Sequence, residues 1–99
     1  MRFELEYTPT AAARRARLEK DPSSMKVWKV VRKTLALMET NLRHPGLRTH
    51  KFHSLTGPEG EEVFESYAQN QTPAAFRVFW FYGPTKGVIT IVAITPHPS

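Results

Sequence analysis

A chain of 99 residues, 40% of them apolar, is long enough for one domain with one packed core and leaves little room for a second. The charged fraction of 23% argues against wholesale disorder, and the absence of cysteine excludes disulfides and thiolate metal sites. The net charge is +5, and eleven of the fourteen lysines and arginines lie between Arg14 and Lys51. This concentration favours a polyanionic partner, although an ordinary solvated helix face would give the same pattern.

The chain shows no sign of a membrane or export segment. No apolar stretch approaches the roughly 20 residues of a membrane span. Residues 1–7 contain two glutamates where a signal peptide needs an apolar segment. We therefore expect a cytoplasmic protein.

The first half of the chain predicts one strand and two helices. Apolar and acidic residues alternate over residues 3–7, which indicates a strand with one buried face. Thr8 and Pro9 predict a helix start, with threonine as the cap, and the helix is expected over residues 10–20. Asp21 and Pro22 repeat that signal before a second helix over residues 23–42. Its apolar residues recur every three to four positions and predict a face that packs on a sheet: Val27, Trp28, Val31, Leu35, Met38 and Leu42.

The second half predicts four strands, over residues 48–55, 62–67, 75–82 and 88–95. Turns rich in glycine and proline separate them, and residues 83–87 form a five-residue hairpin loop. Pro96 and Pro98 end the last strand because neither can donate to a ladder. The order is an N-terminal strand, two helices and a four-stranded antiparallel meander. It predicts an α+β fold with both helices packed on one face of the sheet, in one domain over residues 1–99.

The side chains able to do chemistry are mainly basic, because motifs for nucleotide binding, serine hydrolysis and zinc proteolysis are absent from the sequence. His50 and His53 lie three apart on a predicted strand and point to opposite faces, so a shared metal ion would need a bulge. We expect no metal and no cofactor. The same period of two places Lys51 with His53 on one face and His50 with Phe52 on the other.

Arg77 lies in a strand that is otherwise apolar, where an unpaired charge is costly to bury. His97 follows the end of the predicted hairpin partner of that strand. In the predicted meander, a lysine, an arginine and two histidines could converge on one surface, which suits a phosphodiester. Two alternatives stay open: Arg77 pairs with a glutamate across the strand near residues 61–65, and His97 belongs to a frayed tail.

Four segments in order resemble the RelE/ParE superfamily of toxins from toxin–antitoxin pairs. NLRHPGL (residues 41–47) resembles the segment after the second helix, and THKFHSL (residues 49–55) resembles the basic strand. AFRVFW (residues 75–80) is similar to the Tyr-Arg-Val strand, and IVAITPH (residues 91–97) is similar to the terminal strand that closes with histidine or tyrosine. The resemblance spans essentially the whole chain.

This resemblance implies a metal-independent endoribonuclease that cuts messenger RNA, often on the ribosome, by attack of the 2′-hydroxyl on the adjacent phosphate. It implies that Arg77 contacts the scissile phosphate and that His97 acts as acid or base. The expected partners are messenger RNA, the ribosome and an acidic, partly disordered antitoxin. The residues that we assign fall into two groups: Arg77, His97, His53 and Lys51 as catalytic, and His50, Arg48 and Lys86 as RNA-binding.

Two features depart from the family pattern. Residues 57–72 are longer than its usual short turn and are expected to lie over the site or contact the partner. Pro96 and Pro98 flank His97. The alternative within the superfamily is a non-catalytic ParE-like module that inhibits DNA gyrase. On the ribonuclease hypothesis, the Arg77 guanidinium lies in an open groove with its stem packed on aromatic neighbours.

Overall fold

A computed structural model describes residues 2–96. Its helices and strands follow the predicted order, and the predicted α+β fold is confirmed. Short 3₁₀ helices at Pro22–Ser24 and Pro45–Leu47 precede the second helix and the second strand. The strands and α-helices are β1 (Glu4–Tyr7), α1 (Pro9–Lys20), α2 (Met25–Thr40), β2 (His50–Thr56), β3 (Glu62–Tyr67), β4 (Phe76–Tyr82) and β5 (Val88–Pro96).

The five strands form one sheet in the order β1-β5-β4-β3-β2. β2 to β5 are the expected antiparallel meander, whereas β1 runs parallel to β5, with Leu5 opposite Ile89. The meander sets adjacent strands side by side, so side chains directly opposite each other share a face. This register decides which polar residues can meet.

The core lies between the two helices and one face of the sheet. The apolar face predicted for α2 is buried as expected at Val31, Leu35 and Met38. From β4, Val78 and Trp80 enter this core. Because successive side chains of a strand point to opposite faces, Arg77, Phe79 and Phe81 point to the other side of the sheet. We call that side the open face.

Local capping explains where α1 and the 3₁₀ helix before α2 begin. Thr8 Oγ1 accepts a hydrogen bond from the Ala11 amide at 3.2 Å, with Pro9 at the first helical position, as predicted. Asp21 accepts from the hydroxyl and the amide of Ser23, and these two bonds hold the pKa of the Asp21 carboxyl below its usual value. Among the described residues, neither helix has the length and apolarity needed to cross a membrane.

The segment after α2 differs from the prediction. α2 ends at Thr40, and the following residues form turns that lead into β2. His44 is therefore not a C-terminal residue of α2. Its Nδ1 accepts a hydrogen bond from the Gly46 amide at 2.9 Å and so caps the 3₁₀ helix at Pro45–Leu47.

Candidate active site

Four polar side chains meet on the open face of the sheet: His50 from β2, Glu65 and Tyr67 from β3, and Arg77 from β4. The register places His50 opposite Glu65 and Tyr67 opposite Arg77. Glu65 and Tyr67 are two residues apart on one strand, so all four side chains share a face. We call this group the polar cluster.

Glu65 is the centre of the polar cluster. Its side chain is only 2% exposed. One carboxylate oxygen, Oε1, lies 2.7 Å from His50 Nε2, and the other, Oε2, lies 3.6 Å from Arg77 Nε. The second distance is an ion pair rather than a hydrogen bond. The carboxylate therefore lies between an imidazole and a guanidinium, which offset the loss of water around a buried charge.

Arg77 is packed rather than open. Its side chain is 9% exposed, and its Cζ lies 3.6 Å from the centre of the Tyr67 ring, a close cation–π contact. Nη1 donates to the Gln69 carbonyl at 2.6 Å. The expectation of a guanidinium in an open groove is wrong, and the ion pair with a glutamate near residues 61–65 is what forms.

His50 is the accessible member of the polar cluster, with 48% of its side chain exposed. Its Nδ1 lies 3.0 Å from the Arg48 carbonyl, while Nε2 meets Glu65. Both partners of the ring, a carbonyl and a carboxylate, are hydrogen-bond acceptors, so each ring nitrogen is placed to donate a proton. The bond to the Arg48 carbonyl lies at the surface, so Nδ1 is the nitrogen that a substrate can reach.

Positive charge predominates around the polar cluster. The Arg48 guanidinium carbon lies 5.9 Å from the centre of the Tyr67 ring, the ring that also packs on Arg77. Two guanidinium groups, those of Arg48 and Arg77, thus lie against the same ring, and Arg77 is paired with Glu65. An excess of cations beside a partly exposed imidazole suits a phosphate group.

Lys51 and Lys86 lie away from the polar cluster, so the expected convergence of Lys51 with Arg77 is wrong. Lys51 is opposite Phe64, which stacks on Trp80 of the core, so it lies on the helix side of the sheet. Its Nζ is 3.2 Å from Glu62 Oε2 at an exposed site. Lys86 is exposed in the loop after β4, at the opposite end of that strand from Arg77.

The two remaining histidines assigned from the sequence are His53 and His97, and the structure places neither in the polar cluster. His53 is exposed on β2, within the part of the strand where the register with β3 is irregular. His97 lies outside the described residues. The last described residue, Pro96, pairs with Phe76, the neighbour of Arg77 in the chain. Within residues 2–96, no group of three or more histidines or carboxylates is placed to hold a metal ion.

Sequence reasoning gave Tyr67 no role in the site, and it included Glu65 only as one of the glutamates near residues 61–65 that could pair with Arg77. The strand predicted over residues 62–67 is confirmed. The expectation that residues 57–72 lie over the site is wrong, because this segment builds the site. Gln69 also contributes, since its carbonyl accepts from Arg77 and its side-chain oxygen accepts from the Phe76 amide at 3.0 Å. The usable signal was the period of two that puts Glu65 and Tyr67 on one face.

Comparison with known proteins identifies the fold. No protein-family model matches the chain, and no curated protein does either. Among solved structures, a YoeB/ParE toxin from Agrobacterium tumefaciens matches with a TM-score of 0.67 at 6% identity, over 97% of this chain and 100% of that one. A YoeB–YefM complex from Staphylococcus aureus matches at 0.64 and 15% identity, over 99% and 100% of the two chains. An archaeal RelE–RelB complex from Pyrococcus horikoshii matches at 0.61 and 13% identity, over 97% and 96%.

The likeness spans nearly the full length of both chains in each pair. Because the sequence identity is only 6–15%, the likeness shows the fold alone. The chain has the fold of the RelE/ParE superfamily, as its sequence resemblance predicted.

Proposed function

We propose that the chain is the toxin of a type II toxin–antitoxin pair and a metal-independent endoribonuclease acting on messenger RNA. The observation that carries this proposal is the polar cluster, in which an accessible imidazole is held by a buried carboxylate and surrounded by cations. The fold alone does not specify an activity, because one fold hosts many functions. The chemistry of the polar cluster is therefore the basis for the assignment.

The proposed reaction is cleavage by the 2′-hydroxyl. A base takes the proton of the 2′-hydroxyl, the 2′-oxygen bonds to the adjacent phosphorus, and the bond from phosphorus to the 5′-oxygen breaks. An acid gives a proton to the leaving 5′-oxygen. The products are a 2′,3′-cyclic phosphate and a 5′-hydroxyl, and no oxidant, metal or cofactor is required.

His50 is the proposed acid, because its Nδ1 lies at the surface, 3.0 Å from an exposed carbonyl that RNA can replace, and in the protonated ring this nitrogen can donate a proton. Glu65 keeps the opposite nitrogen protonated and fixes the ring, as the carboxylate of a catalytic triad does. The resemblance implies that His97 acts as acid or base, and with His50 as the acid we assign His97 as the base. Arg77 positions Glu65 and, as the resemblance implies, contacts the scissile phosphate, while Arg48 adds a further charge.

The other assigned residues are proposed to act outside the polar cluster. Lys51, His53 and Lys86 are exposed, and on this proposal they contact the RNA chain on either side of the cleaved bond. The proposed partner is an acidic antitoxin, supported by the net charge of +5 and by the YefM and RelB complexes among the matched folds. The proposed place of action is the ribosome in the cytoplasm.

The test is cleavage of messenger RNA by purified protein in the presence of ribosomes. His50→Gln and His97→Ala should each lower the rate by about 10²–10⁴, the usual contribution of one acid–base group. Lys29→Ala, an exposed lysine on α2, is the matched control and should leave the rate unchanged. The upstream product should carry a 2′,3′-cyclic phosphate, which mass spectrometry identifies.

Two results would overturn the proposal. Full activity in both His50→Gln and His97→Ala would show that these histidines take no part in the cleavage reaction. Intact RNA with the wild-type protein, together with blocked DNA supercoiling by gyrase, would establish the ParE-like alternative.

A further inference from the structure

A groove of about 470 Å³ opens on the open face beside the polar cluster. Its volume is within the range of about 300–1,000 Å³ typical of small-molecule sites. Two aromatic rings form its floor and one wall, and no charged side chain lines it within the described chain. The lining residues are Phe52, Ser54, Leu55, Phe79, Ala93 and Thr95.

Strand register fixes the position of this groove relative to the polar cluster. Phe79 is directly opposite Glu65, and Thr95 is directly opposite Arg77. Neighbouring strands lie about 4.8 Å apart, so the groove begins one strand spacing from the polar cluster. That is within the reach of a ribose that carries its phosphate at the polar cluster and its base to one side.

One wall of the groove is the part of β2 that contains Phe52, Ser54 and Leu55. Between Lys51 and Thr56 the regular pairing with β3 is interrupted, and this part of the strand reaches over the open face. The Phe52 ring packs edge-on against Phe79 with 4.7 Å between ring centres. Phe79 is 2% exposed and so is held in place, whereas Phe52 is half-buried and Leu55 is 43% exposed. The accessible aromatic ring is thus Phe52, which packs on the buried Phe79.

The chemistry of the groove suits a nucleobase better than a phosphate or a protein segment. Phosphate needs cations, and the groove has none in its lining. A stable protein interface takes about 20–30 residues on each side, whereas this groove has six. Bases stack on aromatic side chains, and the hydroxyls of Ser54 and Thr95 can exchange hydrogen bonds with the edge of a base.

We propose that this groove binds the unpaired base next to the cleaved bond, with Phe52 as the stacking side chain and Ser54 and Thr95 at the base edge. The inference rests on the proposed ribonuclease function, since it names a subsite of the same site. It makes Phe52 a determinant of substrate binding rather than of the chemical step.

The test measures binding without cleavage. A fluorescent single-stranded RNA with 2′-O-methyl groups cannot supply the attacking hydroxyl, so its affinity follows from fluorescence anisotropy. Stacking on one aromatic residue contributes about 1–3 kcal/mol, so Phe52→Ala should weaken binding about 5–150-fold, and Phe52→Tyr should keep it. Met25→Ala removes another exposed apolar side chain, 69% exposed on α2, and should have no effect.

An abasic scan of the RNA makes the inference specific to one base. At one position, removal of the base should weaken binding to the wild type as much as Phe52→Ala does. The two changes together should cause no further loss, because each removes the same stacked pair. Thermal melting of each variant shows that the fold is kept, and Phe52→Leu gives a second variant that preserves apolar packing.

The outcomes separate this inference from the proposed function. Coupling between Phe52 and one base, without cleavage of unmodified RNA, supports the subsite and refutes the ribonuclease. Cleavage of RNA by a wild-type protein whose binding is unchanged in both Phe52→Ala and Phe52→Leu refutes the subsite alone. No binding of the RNA by the wild type, or a Phe52 effect confined to binding of an apolar peptide, also refutes the subsite.

Discussion

The buried pair of Glu65 and Arg77 makes a prediction about stability that a double-mutant cycle can measure. Glu65→Gln and Arg77→Met each keep the approximate side-chain volume and remove one charge. Glu65→Gln leaves the Arg77 charge buried without its carboxylate, and Arg77→Met removes from the buried Glu65 carboxylate the guanidinium but not His50. The double variant removes both charges together.

The expected magnitude follows from the geometry. The two charged groups are 3.6 Å apart, and at an effective dielectric constant of about 20 their attraction is about 5 kcal/mol. Loss of one partner of a buried pair typically costs about 3–5 kcal/mol, since the other charge stays buried. Replacement of both by neutral groups should cost only about 1–3 kcal/mol, mainly for the lost hydrogen bond from Arg77 Nη1 to Gln69. The coupling free energy should therefore be about 3 kcal/mol or more.

The assay is unfolding in urea, followed by tryptophan fluorescence. With a slope of about 2 kcal/mol per molar, each single variant should lower the midpoint by about 2 M and the double variant by about 1 M. Additive losses would refute the argument, because they would mean that the two charges do not interact. A single variant as stable as the wild type would place Arg77 at the surface and contradict its burial.

Three further predictions concern the fold. Thr8→Ala removes the cap of α1 and should lower the free energy of unfolding by about 1 kcal/mol, which corresponds to a fall in Tm of about 4–8 °C by calorimetry. Thr40→Ala, at the exposed end of α2, should lower it less. Trp80→Phe removes the buried hydrogen bond from Nε1 to Ser66, at 2.9 Å, and should cost about 2–3 kcal/mol in urea unfolding. Burial raises the pKa of Tyr7, so the unfolded chain ionises first as pH rises past about 10, and stability present below that pH is lost above it. Tyr7→Phe should reduce this alkaline loss in urea midpoints compared across that pH, and an unchanged loss would contradict the assignment.

The fold could be predicted from the sequence because its local signals agree with one another. The threonine cap before Pro9, the apolar face of α2 and the alternation in β1 each indicate one structure. The parallel pairing of β1 with β5 had no such signal. It joins residues at the two ends of the chain, and only tertiary packing decides it.

The site was only partly predictable for a related reason. Period two correctly separated His50 from Lys51, but it could not say which face the helices would cover. Glu65 was predicted to lie in a strand, but its place beside Arg77 and His50 depends on how β3 pairs with β4 and with β2. That register cannot be deduced from any one of these strands alone.

The burial of Arg77 changes how its variants must be interpreted. Because Arg77→Ala removes the main charge partner of Glu65, lost cleavage in that variant would not by itself assign a catalytic role to the guanidinium. His50→Gln provides the cleaner comparison, since a glutamine amide can still donate to Glu65 and the side chain is half exposed. Its stability should stay within about 1 kcal/mol of the wild type. If cleavage falls in His50→Gln at unchanged stability, the imidazole acts in the reaction, and Arg77 and Glu65 act through the position that they give it.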